Sequence, residues 1–425
     1  MSAPQPHRHR GERRAPGTLA AVCALALALG PATASAATAA DSTPAASGTS
    51  GTSGEGVRLP VIPGTLRSGA ACTKASPTVM NVTPWTHDVL DLSGAWAFSR
   101  GAGVTVAVVD TGVAPGTRGL TGRVTAAGAA DDCVGHGSFV AGLIAGAAGS
   151  GGGADFGGIA PQARILAVRG TDPLGRADAD RVAAGIRTAV DAHAQVIAVP
   201  LALPSGSAAL TSAVRYAAAH DCVVVAAAVP DSAPASSTGS GSGSASADAA
   251  RPRKYWPAAE RDVLSVVDFG PDGTRPKDAP EPEQADLAAP GDKVVGAGPR
   301  GKGHFTGSGA SFATAYVAGA AALVRSHAPR LTAPQAVRRL TSTAYPADVP
   351  RLDAYAALTA VPHGGTGPAT AVSPRPVVWS SADGRGARLI AAVVVAVALG
   401  AVAVAAAVRG AVRGRRRRAV PGAAD

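Results

Sequence analysis

Short apolar runs alternate with longer helical stretches through the middle of the chain, from about residue 57 to residue 361. Four of the short runs are predicted to be buried strands: Val104–Val109, Ile165–Val168, Val196–Val199 and Val223–Val225. Two longer stretches, Leu210–Ala219 and Phe312–Val324, are predicted to be helices. Strands separated by helical segments indicate βαβ units, so we expect an α/β domain in which helices flank a parallel sheet.

The first 36 residues have the pattern of a signal peptide. Four arginines between residues 8 and 14 precede an apolar run from Leu19 to Leu29, and Ala34-Ser35-Ala36 is a small-residue cleavage site. The alternative is an uncleaved anchor, but a run of about a dozen residues is too short for a bilayer core of roughly 30 Å. We therefore expect the mature chain to be exported.

A second apolar segment, Leu389–Val408, carries no charge and is long enough for one transmembrane helix. Six arginines follow it between residues 409 and 418, which argues against a buried core helix. Since basic residues stay on the cytoplasmic side, residues 409–425 are predicted to be a cytoplasmic tail. The chain is then a single-pass protein of the cell membrane, with its main domain outside the cytoplasm.

Composition divides the rest of the chain. Residues 37–56 are mostly Ala, Ser, Thr and Gly and are predicted to be disordered. Residues 57–361 form the predicted domain with an N-terminal extension, and residues 362–388, rich in Gly and Pro, form a stalk.

The formal net charge of +10 comes from the two ends of the chain. Residues 1–14 hold four Arg against one Glu, and residues 409–425 hold six Arg against one Asp. The middle is nearly neutral, so a nucleic-acid-binding face is not expected. We find no nucleotide-binding loop, zinc-ligand pattern or haem motif, and predict no cofactor and no metal.

Cysteine usage is consistent with export. Removal of the signal peptide leaves Cys72, Cys133 and Cys222. An oxidising compartment favours one disulfide and one unpaired thiol, and spacing alone does not choose the pair.

Three segments carry candidate chemistry. Asp110 follows a predicted strand and precedes Thr-Gly, which places its carboxylate at the edge of the sheet where active sites of α/β proteins lie. His136 stands between two glycines, and Ser311 follows a Gly-Ser-Gly turn at the start of a helix. Taken singly, the Asp could cap a turn, the His could lie in the core and the Ser could cap its helix.

The order Asp, His, Ser is that of the subtilisin triad. Over roughly residues 57–360, the Asp-Thr-Gly, Gly-His-Gly and Gly-x-Ser-x-Ala segments resemble the three signatures of the subtilases. Further matches are Gly158-Ile159-Ala160-Pro161, Tyr255-Trp256-Pro257-Ala258 and Ala289-Pro290-Gly291. The resemblance implies a subtilisin-like fold and a serine protease in which Ser311 attacks, His136 transfers the proton and Asp110 supports the imidazole.

Within the subtilases, the chain resembles the mycosins, membrane-anchored proteases associated with type VII secretion. The residues behind this are Pro84-Trp85, Trp96, the segment from Asp132 to Gly137, Ser311-Phe312-Ala313, Tyr316-Val317 and the segment from Asp353 to Leu358. The resemblance implies a disulfide between Cys72 and Cys133, and leaves Cys222 as an unpaired, buried thiol. It also suggests a type VII secretion membrane complex as partner.

The oxyanion hole departs from the subtilase pattern. Subtilases use the Ser backbone N–H and an Asn side chain, but Pro230 stands where that Asn is expected. Asn81, far upstream, is the only asparagine of the chain. We therefore expect the Ser311 N–H to be the only oxyanion donor, with Ser232 as a candidate substitute. Loss of one such donor typically lowers turnover about a hundred- to a thousand-fold.

Other positions around the site also differ from the family pattern. Ala310 replaces Thr before the nucleophile, and Ala315 replaces Pro in the following helix. Ala198 and Pro200 stand where mycosin-like sequences carry Asn and Ser.

Two main functions follow. The first is an extracytoplasmic serine endopeptidase that acts on an exported protein or peptide, and the retained triad favours it. The second is a weakened or inactive protease fold that stabilises a secretion complex, which the missing Asn favours. An esterase is a third, weaker option, since acylation by an ester is easier.

Overall fold

A computed structural model of the chain describes residues 58–128, 131–147, 157–231 and 252–361. The predicted signal peptide, disordered segment, stalk, membrane helix and basic tail lie outside these residues. Within the described ranges, no helix combines the length and the hydropathy needed to cross a membrane.

In the part of the chain that the structure describes, seven parallel strands form a central sheet in the order β2-β3-β1-β4-β5-β6-β7. They are β1 Thr105–Asp110, β2 Val124–Ala127, β3 Arg164–Arg169, β4 Val196–Val199, β5 Val223–Ala227, β6 Val263–Phe269 and β7 Leu287–Pro290. A separate antiparallel pair consists of β8 Val294–Ala297 and β9 His304–Gly307. The four predicted strands correspond to β1, β3, β4 and β5, so the predicted parallel sheet is confirmed.

Helices cover both faces of the sheet. They are α1 Trp85–Val89, α2 Leu92–Ala95, α3 His136–Ala145, α4 Ala179–Asp191, α5 Ala208–Ala219, α6 Ala310–His327, α7 Ala333–Ser342 and α8 Ala354–Thr359. Helices α4 and α5 pack on one face, and α3 and α6 pack on the other. The two predicted helices correspond to α5 and α6.

Strand β1 shows why the apolar runs are continuous. Val106 and Val108 point to the face that α6 covers, whereas Ala107 and Val109 point to the face that α4 and α5 cover. Successive side chains of a strand alternate between faces, so a sheet covered on both sides needs apolar residues at every position. The strand ends at Asp110, at the carboxyl edge of the sheet.

The N-terminal extension, residues 58–84, lies along β9. The Ile62 N–H donates to the Thr306 carbonyl at 2.9 Å, and the Thr306 N–H donates to Pro60 at 3.0 Å. A disulfide joins Cys72 to Cys133, the pairing that the resemblance implies. Cys222 is a free, buried thiol, and burial raises its pKa to about 11.

Candidate active site

The structure brings Asp110, His136 and Ser311 together from three elements. His136 is the first residue of α3, and Ser311 lies in the first turn of α6. The His136 Nδ1 is 2.6 Å from the Asp110 Oδ2, and its Nε2 is 3.0 Å from the Ser311 Oγ. All three side chains are buried. These contacts form a continuous path for a proton from the hydroxyl to the imidazole.

Asp110 is held in place by its own loop. Its Oδ1 accepts a hydrogen bond from the Thr111 N–H at 2.7 Å, which leaves Oδ2 to face the imidazole. Burial raises the pKa of Asp110 above its ordinary value, and His136 offsets only part of that effect. Thr111 Oγ1 accepts the Gly137 N–H at 2.9 Å, so the strand end is also tied to the start of α3. A Cβ at Gly137 would overlap the Gly112 carbonyl, so this close approach requires glycine.

A second buried carboxylate, Asp132, organises the start of α3. Its Oδ1 accepts the Gly135 N–H at 2.7 Å, and its Oδ2 accepts the Ser138 N–H at 2.9 Å and the Ser138 hydroxyl at 2.7 Å. The side chain therefore fixes the turn that presents His136. Asp132 lies in one of the segments that carry the family resemblance, but the sequence alone indicates no function for it.

Helix α6 fixes the nucleophile. Its N-cap, Gly309, has φ 146°, and every residue from Ala310 to Val324 is buried. The Phe312 ring lies 5.2 Å from the His136 ring and 5.1 Å from the Phe139 ring, centroid to centroid. Ser311 is therefore attached to the core of the domain, and the imidazole rests against the same helix.

Asp231 is a site residue that the sequence reasoning missed. Its Oδ1 accepts the Ser311 N–H at 2.9 Å, and its Oδ2 accepts the Ser311 hydroxyl at 2.6 Å. The same Oδ2 lies 3.6 Å from the His136 Nε2. The signal that could have found it is its position, one residue after the proline that replaces the expected Asn. The candidate substitute Ser232 lies outside the described residues.

Two carboxylates flank the imidazole. Burial by itself would lower the pKa of His136, but Asp110 and Asp231 outweigh burial and raise the pKa to about 10. An imidazolium cannot accept a proton from Ser311, so this shift opposes the action of His136 as a base. The two carboxylates therefore favour the protonated form of the imidazole, whereas activation of Ser311 requires the neutral form.

A cleft of about 690 Å³ opens beside the triad. His136, Asp231 and Phe312 line its floor, and residues 61–65 of the N-terminal extension form part of its wall. Another part of the wall is the segment 200–204, so Pro200 lines the cleft. The extension thus lines the cleft and leaves a cavity large enough for several residues of a peptide.

The other departures from the family pattern lie in the core. Ala198 in β4, and Ala310 and Ala315 in α6, are fully or almost fully buried. Small side chains at these positions let α6 pack closely on the sheet. Among the described residues, no group of three or more His, Cys, Asp or Glu side chains is placed to hold a metal ion.

Asp268, on β6, is a buried carboxylate outside the triad. It is 2% exposed, and within the described chain its Oδ1 accepts no hydrogen bond. The Arg275 Nη2 lies 4.0 Å from this Oδ1. Burial raises the pKa of Asp268 to about 6, and the charge of Asp231 adds to the shift. The folded state then binds this proton more tightly than the unfolded chain, so stability falls as pH rises from about 4 to about 6.

Asp268→Asn is therefore expected to raise the free energy of unfolding at pH 8 by about 1–3 kcal/mol, because it removes a buried charge. At pH 4, where the carboxyl is neutral in the folded state, the gain should vanish. Urea unfolding at the two pH values measures both. The exposed Asp278→Asn variant is the matched control and should show no pH-dependent gain. A gain of equal size at both pH values would contradict the role of charge.

Comparison with known proteins gives relatives along most of the chain. The model of the subtilase family matches residues 101–370. Mycosin-3 of Mycobacterium tuberculosis is 35% identical over 382 residues, and the alignment covers 75% of this chain and 82% of the relative.

Solved structures share the fold. The MycP3 protease from the type VII (ESX-3) secretion system aligns with a TM-score of 0.57 and 32% identity, covering 72% of this chain and 98% of that one. A chain in the periplasmic assembly from the ESX-5 inner membrane complex aligns with a TM-score of 0.60 and 28% identity, covering 75% of this chain and 94% of that one.

Proposed function

We propose, since this chain belongs to the subtilase family of serine proteases and to the mycosins within it, that Asp110, His136 and Ser311 cleave peptide bonds outside the cytoplasm. The sheet and its helices have the subtilisin-like α/β fold that the sequence predicts.

The observation that carries the proposal is the hydrogen-bond path from Asp110 through His136 to Ser311. Its two distances, 2.6 and 3.0 Å, lie within the range for a positioned base and nucleophile. The three residues come from β1, α3 and α6, which are far apart in the chain. Packing alone does not require a carboxylate, an imidazole and a hydroxyl in this order.

The proposed reaction uses these contacts with His136 in its neutral form. The Ser311 Oγ bonds to the peptide carbonyl carbon as its proton passes to the His136 Nε2, and the carbonyl oxygen becomes an oxyanion near the Ser311 N–H. His136 then gives the proton to the amine as the C–N bond breaks. Water repeats the sequence on the acyl-enzyme and releases the acid. Asp110 holds the Nδ1 proton and stabilises the imidazolium throughout.

Attachment to the membrane and a role in type VII secretion have other support. Residues 389–408 are apolar and are followed by a basic tail, which is typical of a single span with a cytoplasmic C-terminus. Similar chains occur in structures described as parts of an ESX-5 inner membrane complex. A type VII complex is therefore the proposed partner, and an exported protein is the proposed substrate.

A fluorophosphonate probe tests the proposed nucleophile in the full-length chain in detergent. We expect covalent labelling of the wild type and none of Ser311→Ala, because only an activated serine reacts with the probe. Ser326→Ala is the matched control, since Ser326 lies near the other end of α6 and its hydroxyl donates only to the Ala102 carbonyl. It should label as the wild type does.

A second function, a protease-fold scaffold, is favoured by the contact between Asp231 and Ser311. If the protein is a scaffold, the probe would label neither the wild type nor Ser311→Ala, although both are folded. Cells that carry Ser311→Ala would still secrete type VII substrates. Labelling that survives Ser311→Ala would instead show that another residue is the reactive nucleophile.

A further inference from the structure

The Asp231 carboxylate occupies the place where a reaction intermediate needs a hydrogen-bond donor. In a serine protease the backbone N–H of the nucleophile stabilises the oxyanion. Here that N–H donates to the Asp231 Oδ1 at 2.9 Å. The side chain of Asp231 is 29% exposed, so it lies at the floor of the cleft rather than in the core.

The local sequence makes room for this carboxylate. Pro230 has no N–H and no polar side chain, so the position of the expected Asn supplies no donor. A Cβ at Gly309 would overlap the Asp231 carboxylate, and the absence of one lets the side chain lie against the start of α6. A proline, an aspartate and a glycine thus combine to place a negative charge beside Ser311.

We propose, on the basis of the proposed peptidase function, that Asp231 is a catalytic-site brake: its carboxylate fills the oxyanion site and must leave or lose its charge before Ser311 can react. An oxyanion next to a carboxylate is repelled at short range. The Ser311 hydroxyl has one proton, and while it donates to Asp231 it does not donate to His136. The brake therefore acts on the oxyanion and on the nucleophile.

The brake also acts on the base. The carboxylates that face His136 are Asp110 from β1 and Asp231 from the loop after β5, and together they favour the imidazolium. The charge of Asp132 acts on Asp110, and Asp268 on β6 adds negative charge near Asp231. Removal of the Asp231 charge alone leaves the Asp110–His136 pair intact. The pKa of His136 should then fall toward the range of a working base.

A simpler role for Asp231 is to cap α6, since its Oδ1 accepts a first-turn N–H. The N-cap residue is Gly309, and Asp231 accepts this N–H from outside the helix. The amide oxygen of an Asn can also accept a backbone N–H, so Asp231→Asn keeps a neutral acceptor there and removes the charge. It also offers an amide N–H at the oxyanion site. Asp231→Ala removes the charge and the cap and supplies no donor. Both variants therefore remove the charge, and only Asp231→Asn keeps a hydrogen-bonding side chain at this place.

The experiment measures fluorophosphonate labelling rates of the full-length chain at pH 7.5. We expect Asp231→Asn to label about 10²-fold faster than the wild type, with Asp231→Ala between them. The gain should disappear in the Asp231→Asn/Ser311→Ala double variant. Asp278→Asn removes an exposed charge and should leave the rate unchanged.

An NMR titration of the His136 ring gives a readout that does not depend on catalysis. Its pKa should fall by about one unit or more in Asp231→Asn, because a facing carboxylate is lost. A rate no higher than that of the wild type, together with an unchanged His136 pKa, would overturn the brake. A lowered His136 pKa in Asp231→Asn, with no labelling of the wild type or of any variant, would support the contact between Asp231 and His136. It would overturn the proposed peptidase function.

Discussion

Asp110→Asn is expected to lower the rate of Ser311 acylation by about 10⁴-fold without unfolding the protein. The Asp110 carboxylate accepts a hydrogen bond from the His136 Nδ1 and is fully buried. An amide in its place presents an N–H to the imidazole, which favours the tautomer with the proton on Nε2. That nitrogen then has no lone pair for the Ser311 proton.

The measurement is single-turnover labelling of the wild type, Asp110→Asn and a matched control. Asp178→Asn is suited to this purpose, because Asp178 caps α4 on the surface, and Asn preserves a cap. It should react at the wild-type rate. Comparable rates for Asp110→Asn and the wild type would mean that His136 does not activate Ser311.

Loss of the Cys72–Cys133 disulfide is expected to lower the free energy of unfolding by about 4 kcal/mol, as estimated from the loop that it closes. The two cysteines are 61 residues apart in sequence, so the open chain gains considerable freedom. The extension would then be held mainly by backbone hydrogen bonds, such as that from the Ile62 N–H to Thr306 and that from the Thr306 N–H to Pro60. Exchange of these two amide protons should accelerate in Cys72→Ser/Cys133→Ser.

Thermal unfolding and hydrogen exchange measure the effect. Cys222→Ser is the control, because Cys222 is not in a disulfide and its Sγ donates to the Ala194 carbonyl, a contact that serine can retain. A reductant should destabilise the wild type and leave the double variant unchanged. Equal stability of the double variant and the wild type would mean that the hydrogen bonds alone hold the extension.

Much of the sheet could be predicted because its strands are buried on both faces. Strands β1, β3, β4 and β5 are apolar runs for this reason. Strand β2 was not predicted, because only four residues form it and none of them is buried. The antiparallel pair β8–β9 was missed as well, since Gly296 and Gly307 interrupt its apolar pattern.

The site could be predicted to the extent that its residues lie in continuous motifs. Asp110, His136 and Ser311 each occur in a short segment whose order along the chain is informative. Asp231 has no such segment, because an aspartate after a proline is typical of any surface turn. Its role depends on the approach of the β5 end to α6, across 80 positions of sequence. Only the tertiary structure reveals that contact.

The burial of α6 restricts which positions of this enzyme can change over evolutionary time. Each position from Ala310 to Val324 is packed against the core, so larger side chains there would cost stability before they altered chemistry. New activities or regulation would have to arise in the loops at the carboxyl edge of the sheet, where substitutions lower the stability of the fold less. Pro230 and Asp231 lie in such a loop. Both residues differ from the subtilase pattern while the triad is retained, as expected if loops accept substitutions more readily than the buried helix does.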